Sequence, residues 1–261
     1  MDLGIKGKTA LVTGASAGLG FAAADALYRE GARLAICSRD EARIRNAARR
    51  ISGSAQDVVP FVCDLTIRDN IDKLTAEVIR SFGRLDILVA NCGGPPVGRH
   101  DSVTEGDWET GYNRTFMSAI RLVENVIAGM KERRFGRIVL ITSISAKQPI
   151  DNLLLSNSYR AGLLGYAKSV SREVASFGVT INTVMPGYTK TERLDYLADE
   201  TSAKTGRSKE QIFAEWANMT PAGRLGRPEE LAALVAFLAS EQAAYITGTA
   251  IAVDGGRTAG I

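Results

Sequence analysis

The sequence predicts an α/β fold in which one doubly wound, seven-stranded parallel sheet has helices on both faces. Short apolar runs alternate with longer amphipathic stretches along the 261 residues, a pattern typical of buried parallel strands joined by helices. A glycine-rich turn follows the first apolar run, where a strand would pass directly into a helix. No stretch rich in Pro, Ser and Gly interrupts the alternation. We therefore expect one domain over residues 1–261.

Seven runs of mostly apolar residues are the predicted strands. In chain order they cover residues 9–12, 32–37, 58–63, 85–90, 136–141, 179–184 and 250–253. The predicted helices between them lie at about 21–27, 40–50, 67–82, 116–130, 153–177 and 229–239. Apolar residues recur at helical spacing in these stretches, for example Ile71, Leu74 and Val78. Residues 190–219 are polar and broken by turn formers, so we expect a lid-like insertion there.

Composition and charge exclude several kinds of partner. The formal charge of +3 is small and spread along the chain. The arginines of residues 43–50 share a predicted helix with Asp40 and Glu41, which indicates a solvated face and no nucleic-acid surface. The longest late apolar run, residues 232–239, is too short to cross a bilayer. We expect neither a nucleic-acid nor a membrane partner.

The cysteines and the histidine argue against a disulfide framework and a metal site. Cys37, Cys63 and Cys92 are isolated in the sequence, and His100 is the single histidine. Isolated cysteines in apolar runs are typical of packing residues in a reducing compartment. No signal peptide is evident, because the first apolar run is short and is broken by Gly14. The expected location is the cytoplasm.

The turn from Thr13 to Gly20 has the residues of a phosphate cradle. Gly14, Gly18 and Gly20 let the main chain approach a pyrophosphate closely. The free N–H groups and the dipole of the following helix would favour its negative charge. The glycine spacing is wider than the common Gly-x-Gly-x-x-Gly pattern. Taken alone, the turn also fits an ordinary strand-to-helix connection.

The carboxyl ends of the predicted strands carry polar residues and turn formers. In an open parallel sheet, ligands bind beyond these ends. We therefore expect one crevice to be formed by the residues that follow the strands: Gly14, Ser38–Arg39, Asp64, Asn91, Thr142–Ser143 and Pro186–Gly187.

Six motifs together resemble the short-chain dehydrogenase/reductase family, and its 3-oxoacyl-acyl-carrier-protein reductase branch most of all. They span nearly the whole chain in the family's order: Thr13-Gly14-x3-Gly18-x-Gly20, Asp64-Leu65, Asn91-Cys92-Gly93, Ser143, Pro186-Gly187 and Asp254-Gly255-Gly256. The resemblance implies a Rossmann-type fold and an oxidoreductase that uses a nicotinamide dinucleotide. It also implies a small-molecule or acyl-thioester substrate and a homo-oligomer, a dimer or tetramer built through the two long helices and the C-terminal strand.

The resemblance also assigns the cofactor-binding residues. Asp64 would accept a hydrogen bond from the adenine amino group, and Asn91 would lie beside the adenine ribose. The alternatives are that Asp64 caps a helix and that Asn91 only ends a strand. Pro186, Gly187 and Thr191 would surround the nicotinamide amide and the phosphates. The full set is Gly14, Ser16, Gly18, Leu19, Gly20, Ser38, Arg39, Asp64, Leu65, Asn91, Gly93, Arg160, Pro186, Gly187 and Thr191.

The end of the second strand indicates which dinucleotide binds. An acidic residue there would hydrogen-bond the ribose hydroxyls and repel a 2′-phosphate. Ser38 occupies this place, and Arg39 follows it with a guanidinium suited to a phosphate. NADP(H) is therefore favoured over NAD(H). The alternative is that Arg39 is a surface cation.

The catalytic stretch departs from the family pattern. The family carries a Ser, a Tyr thirteen residues later and a Lys four residues after that, with the Lys lowering the pKa of the phenol. Counting from Ser143 gives Ser156 and then Arg160 in those places, and residues 161–168 match the family's helix without a gap. Thr115 stands where the family has an Asn, with Asn113 two residues away.

Three functions remain open on these grounds. The first is NADPH-dependent reduction of a carbonyl with an atypical proton donor, for which Tyr159 is the best candidate and Tyr188 another. Either tyrosine could instead be a packing residue. The second is dinucleotide binding without hydride transfer. The third is a lyase or isomerase that uses Ser143, Ser156 and Arg160, whose guanidinium would suit a substrate carboxylate.

Overall fold

The computed structural model describes residues 2–52 and 57–260, and its described residues contain a seven-stranded sheet. All neighbouring strands pair in parallel, in the order β3-β2-β1-β4-β5-β6-β7. The strands are β1 (Thr9–Thr13), β2 (Arg33–Ser38), β3 (Val58–Val62), β4 (Ile87–Asn91), β5 (Gly136–Ile141), β6 (Val179–Pro186) and β7 (Ala250–Val253). The predicted fold class is confirmed, and every strand end lies within two residues of its prediction. Residues 1 and 261, which bound the predicted domain, lie outside the described residues.

Helices cover both faces of the sheet. They are α1 (Gly18–Arg29), α2 (Glu41–Ser52), α3 (Arg68–Phe82), α4 (Glu105–Gly111), α5 (Ser118–Glu132), α6 (Leu154–Val174), α7 (Glu192–Thr205), α8 (Lys209–Asn218) and α9 (Pro228–Leu238). Helices α1, α2 and α9 bury residues such as Leu27 and Leu231 in one layer of the core. Helices α3, α5 and α6 bury residues such as Ile71 and Leu122 in the other. This arrangement leaves the carboxyl ends of the strands open.

The predicted helix around residues 116–130 is interrupted in the structure. A π-helical turn, Tyr112–Met117, lies between α4 and α5. Val123 and Met130 are buried in the core, whereas the Phe116 ring packs against the ring of Tyr159. The apolar residues of this stretch therefore have two roles, since Val123 and Met130 join the core and Phe116 packs against an aromatic ring.

The predicted insertion at 190–219 is helical, which corrects its description as a segment broken by turn formers. Its two helices, α7 and α8, share a small apolar cluster that includes Leu194, Ile212 and Trp216. Gly206, with a φ of 70°, ends α7, and Ser208 caps α8 through the backbone N–H of Gln211. Its role as a lid stays a prediction.

The described residues bear on membrane crossing, metal binding and disulfides. None of their helices is long and apolar enough to cross a membrane. No group of three or more His, Cys, Asp or Glu residues among them could hold a metal ion. Cys37, Cys63 and Cys92 are all free thiols.

The turn between β1 and α1 requires glycine at two positions. Gly14 has a φ of 57°, in the left-handed region that side chains disfavour. A Cβ atom on Gly14 would lie 2.5 Å from the backbone oxygen of Asn91. A Cβ atom on Gly20 would lie 2.3 Å from the backbone oxygen of Gly14. The glycines thus allow β1, α1 and the end of β4 to meet.

We predict that Gly20→Ala destabilises the protein, because the added methyl group forces the main chain of the turn to move. Overpacking of this kind costs about 1–3 kcal/mol. For a chain of this size, the cost corresponds to a fall of about 3–10 °C in the thermal midpoint measured by calorimetry. Gly106→Ala is the control, since its nearest contact would lie at 3.8 Å. Equal shifts in the two variants would contradict the close packing of the turn.

Candidate active site

Two connected cavities form a cleft along the carboxyl ends of the strands. The β5 cavity, of about 510 Å³, is lined by Ser143, Ser156 and Arg160. The β2 cavity, of about 840 Å³, is lined by Ser38 and Asp64. They share the lining residues Gly14, Ser16, Arg39, Arg43, Asn91, Gly93, Gly94 and Arg193. The cleft crosses the point where the strand order reverses between β1 and β4, which is where the fold favours ligand binding. The predicted crevice is therefore present.

Most residues predicted from the sequence line this cleft. The β5 cavity also contains Gly18, Leu19, Pro186, Gly187 and Thr191, and the β2 cavity also contains Leu65. Gly20 and Tyr159 do not line either cavity. Gly20 packs against the backbone of Gly14, so it contributes to the shape of the glycine turn and does not contact the cavity.

The side chain of Asn91 holds the glycine turn in place. Its Nδ2 donates a hydrogen bond to the backbone oxygen of Gly14 at 3.1 Å. The Thr13 hydroxyl donates to the backbone oxygen of Asn91 at 3.2 Å and accepts from its N–H at 3.0 Å. Asn91 is therefore more than a strand-ending residue, because it ties β4 to the turn beside the cleft.

The N-terminus of α1 is open to the β5 cavity. No side chain caps this helix, and the preceding Ala17 is extended with a φ of −162°. Ser16, Ala17, Gly18 and Leu19 all line the cavity. Free N–H groups at a helix N-terminus bind anions well, so this end suits a phosphate.

The β2 cavity is lined by Arg43, Arg114 and Arg193 in addition to the Arg39 that the sequence indicated. Arg39 lines the cavity as predicted, and Arg43 joins it from the first turn of α2. The Asp40 carboxylate accepts from the backbone N–H of Arg43 at 2.9 Å. The Arg43 guanidinium donates to Glu192 Oε1 at 2.7 Å, which links α2 to α7. The signal that could have revealed Arg43 was its place in the first turn of the helix that follows Arg39.

Asp64 lines the β2 cavity but does not cap a helix. Its Oδ1 accepts from the backbone N–H of Thr66 at 2.9 Å and from the Thr66 hydroxyl at 2.8 Å. Helix α3 starts later, with Ile67 as its N-cap residue. Burial acts to raise the pKa of Asp64, but the Thr66 hydrogen bonds and the charges of Arg39 and Arg114 hold it below its usual value.

Ser143, Ser156 and Arg160 line the β5 cavity, beyond the end of β5. Ser143 Oγ accepts from the backbone N–H of Ser145 at 3.1 Å. The hydroxyls of Ser145 and Ser156 are hydrogen-bonded at 3.1 Å, a contact that the sequence analysis missed. Arg160, one turn after Ser156 on α6, donates to the backbone oxygen of Ile141 at 3.2 Å. Burial lowers the pKa of Arg160 to about 10.

Thr115 and Asn113 lie outside both cavities. The Thr115 hydroxyl donates to the backbone oxygen of Gly93 at 3.0 Å, from within the π-helical turn. Asn113 Nδ2 donates to the backbone oxygen of Glu109 at 3.3 Å. Thr115 therefore positions the loop after β4, and Asn113 stabilises its own helix.

Tyr159, which the sequence suggested as the best candidate for the proton donor, lies outside both cavities. Its hydroxyl donates to the backbone oxygen of Trp108 at 2.8 Å. Its ring packs against those of Trp108, Tyr112 and Phe116, away from the cleft. Burial also raises its pKa, which makes the phenol a weaker acid. Among the tyrosines of the described residues, Tyr188 is the one that lines the β5 cavity.

The comparisons with known proteins agree with this architecture. The family model described as enoyl-(acyl carrier protein) reductase matches residues 14–258. The 3-oxoacyl-(acyl-carrier-protein) reductase FabG of Vibrio cholerae is 35% identical over 254 residues, which cover 97% of this chain and 98% of the relative.

Two solved structures superpose closely on this chain. L-Sorbose reductase from Gluconobacter frateurii, complexed with NADPH and L-sorbose, is 32% identical, with a TM-score of 0.94 and full coverage of both chains. A variant of actinorhodin polyketide ketoreductase with NADPH is 31% identical, with a TM-score of 0.92 over 96% of this chain and 97% of the other. The chain therefore belongs to the short-chain dehydrogenase/reductase family of oxidoreductases and is similar to its 3-oxoacyl-acyl-carrier-protein reductases.

Proposed function

We propose that this protein is an NADPH-dependent carbonyl reductase acting on a ketone, either a 3-oxoacyl thioester or a small molecule. The observation that carries the proposal is the single continuous cleft. Arg39 and Arg43 line both of its cavities, and Ser143, Ser156 and Arg160 line the β5 cavity. The reductases to which the chain is similar, two of them solved with NADPH, support the same activity.

The cleft fits a phosphorylated dinucleotide. Arg39 and Arg43 would hold the 2′-phosphate, with Asp64 and Leu65 beside the adenine. The open N-terminus of α1 and Thr191 would hold the pyrophosphate. When bound, NADPH supplies the hydride that reduces the carbonyl carbon.

The residues of the β5 cavity can bind a carbonyl group and stabilise its reduced form. The hydroxyls of Ser143 and Ser156 would donate to the carbonyl oxygen and stabilise negative charge that develops there. An aliphatic hydroxyl is a poorer acid than a phenol. We assign the proton donor to Tyr188, whose ring is fixed by stacking on Trp216 at 4.9 Å.

A homo-oligomer is part of the proposal. Trp108 and Tyr112 are 37% and 42% exposed, next to the start of α5. They form an aromatic surface with Tyr159 of α6. Association through α5 and α6 would cover this surface.

A second function is favoured by one specific observation. Ser156 and Arg160 stand where relatives of this type are expected to carry Tyr and Lys, so the protein could bind the dinucleotide without transferring hydride. Titration with NADPH, followed by turnover assays on 3-oxoacyl thioesters and simple ketones, separates these functions. Turnover supports the reductase, and binding without turnover on a broad carbonyl panel supports a binding protein. Failure of NADPH to bind supports a lyase or isomerase.

We predict that Arg39→Asp weakens NADPH binding at least about 10-fold more than NADH binding. The variant removes a charge-assisted contact to the 2′-phosphate and adds a repulsive charge. Both affinities can be measured by nicotinamide fluorescence. Arg45→Asp is the control, because Arg45 pairs with Glu41 on the same helix and lines neither cavity. Equal losses for NADPH and NADH would reduce Arg39 to a surface cation.

We predict that Tyr188→Phe and Tyr159→Phe differ sharply in activity, although each removes one hydroxyl. Loss of a positioned general acid lowers kcat by about 10²–10⁴, and we expect this effect at Tyr188. We expect Tyr159→Phe to retain kcat within about 3-fold, because its hydroxyl contacts Trp108 outside the cleft. Steady-state kinetics of ketone reduction provide the measurement. Unchanged kcat in Tyr188→Phe would remove the proton-donor assignment.

We predict that the double variant Ser156→Tyr, Arg160→Lys reduces neutral ketones faster than the wild type. Residues 156 and 160 lie on one face of α6, so a phenol and an ammonium group there would recreate an efficient acid. The expected gain in kcat is about 10-fold or more. Absence of a gain in the folded variant would show that the cavity has changed beyond the two exchanged residues.

A further inference from the structure

The guanidinium groups of Arg160 and Arg193 lie at the β5 cavity, and neither has a carboxylate partner among the described residues. Arg160 is 9% exposed and its recorded hydrogen bond goes to the backbone oxygen of Ile141. Arg193, in the first turn of α7, donates to the backbone oxygen of Pro95 at 3.1 Å. Neither forms an ion pair with any carboxylate of the described residues. Both side chains line the cavity.

Burial and a neighbouring positive charge disfavour the charged form of each guanidinium group. Burial lowers the pKa of Arg160, and the charge of Arg193 acts in the same direction, while Cys92 opposes it. Burial also lowers the pKa of Arg193, as does the charge of Arg114, while Tyr196 and Glu200 oppose the shift. Partly desolvated charges of like sign raise the free energy of the unliganded protein. An anion placed between them would lower it.

The carboxylate of Glu192 is not available to bind Arg160 and Arg193. Glu192 lines the same cavity, but its carboxylate already binds Arg43. The rest of the cavity wall near Ser143 and Ser156 includes the apolar residues Ile150 and Leu153. The β5 cavity thus combines a positive end, two hydroxyls and an apolar wall.

We propose that the carbonyl substrate itself carries a carboxylate, and that Arg160 and Arg193 bind it while the serine hydroxyls bind the ketone oxygen. This inference rests on the proposed reductase function and names its substrate class as oxo acids. A guanidinium binds a carboxylate through two parallel hydrogen bonds, which an ammonium group cannot provide. The presence of Arg at position 160 is thereby explained.

An oxyanion between these groups could also come from the cofactor. Arg193 lines both cavities, so a phosphate of the dinucleotide is the competing source. The two sources predict different effects of removing Arg193. Loss of a substrate contact weakens carboxylate binding and leaves the cofactor bound. Loss of a phosphate contact weakens the cofactor.

The test compares levulinate with levulinamide, which has the same shape without the charge. Calorimetry with the NADP⁺-loaded protein is expected to show levulinate binding at least about 10-fold more tightly, as two charge-assisted hydrogen bonds allow. Arg193→Met should reduce this preference to less than about 3-fold and change the NADP⁺ affinity by less than about 2-fold. Arg114→Met is the matched control, because Arg114 lines the β2 cavity and not the β5 cavity. This variant should keep the preference for levulinate over levulinamide.

Two results would overturn the proposal. One is equal or undetectable binding of levulinate and levulinamide to the wild type. The other is an Arg193→Met variant that loses NADP⁺ affinity about 10-fold but keeps its preference for levulinate. If the wild type does not bind NADP⁺, the proposed reductase function is wrong. Comparing levulinate with levulinamide on the protein without NADP⁺ then tests separately whether Arg160 and Arg193 bind a carboxylate.

Discussion

The cleft depends on the contact between the β1–α1 turn and the end of β4. Asn91 bonds to the backbone oxygen of Gly14, and the absence of side chains at Gly14 and Gly20 lets the three segments approach. This contact fixes the first turn of α1, whose free N–H groups face the cavity. Arg39 and Arg43 lie along the cleft from this end of α1, as do Ser143 and Ser156.

Ser156 and Arg160 stand where the family resemblance predicts a Tyr and a Lys. A phenol and an ammonium group would supply a proton donor and one positive charge. Ser156 and Arg160 supply a hydroxyl and a larger, planar cation instead, and Arg193 adds a second charge from α7. Compared with a Tyr and Lys pair, these residues offer more positive charge and a weaker proton donor. A substrate with its own negative charge, and a donor from another element such as Tyr188, are the consequences that we infer.

The sheet was predictable because strands buried on both faces are continuous apolar runs bounded by turn residues, as at Gly136–Ile141. Most cleft residues could be predicted because the carboxyl ends of parallel strands lie at one edge of the sheet. The placement of Tyr159 in the cleft was wrong. Residues 156 and 160 are four apart and share a face of α6. Tyr159, three positions after Ser156, lies about 60° around the helix axis from it, which directs its side chain to Trp108. The pairing of Arg43 with Glu192 joins segments that are 149 residues apart, and no local pattern reveals such a contact. The helices at 192–218 were missed because their small apolar cluster is covered by charged residues.

Tracing of the hydride tests the central claim most directly. NADPH carrying deuterium at the transferable nicotinamide position would be incubated with the protein and an oxo acid, and the product analysed by mass spectrometry. Deuterium on the new alcohol carbon, dependent on the protein, is the predicted result. Saturable NADPH binding without deuterium in any product, across oxo acids, 3-oxoacyl thioesters and neutral ketones, would contradict a reductase and leave a dinucleotide-binding protein.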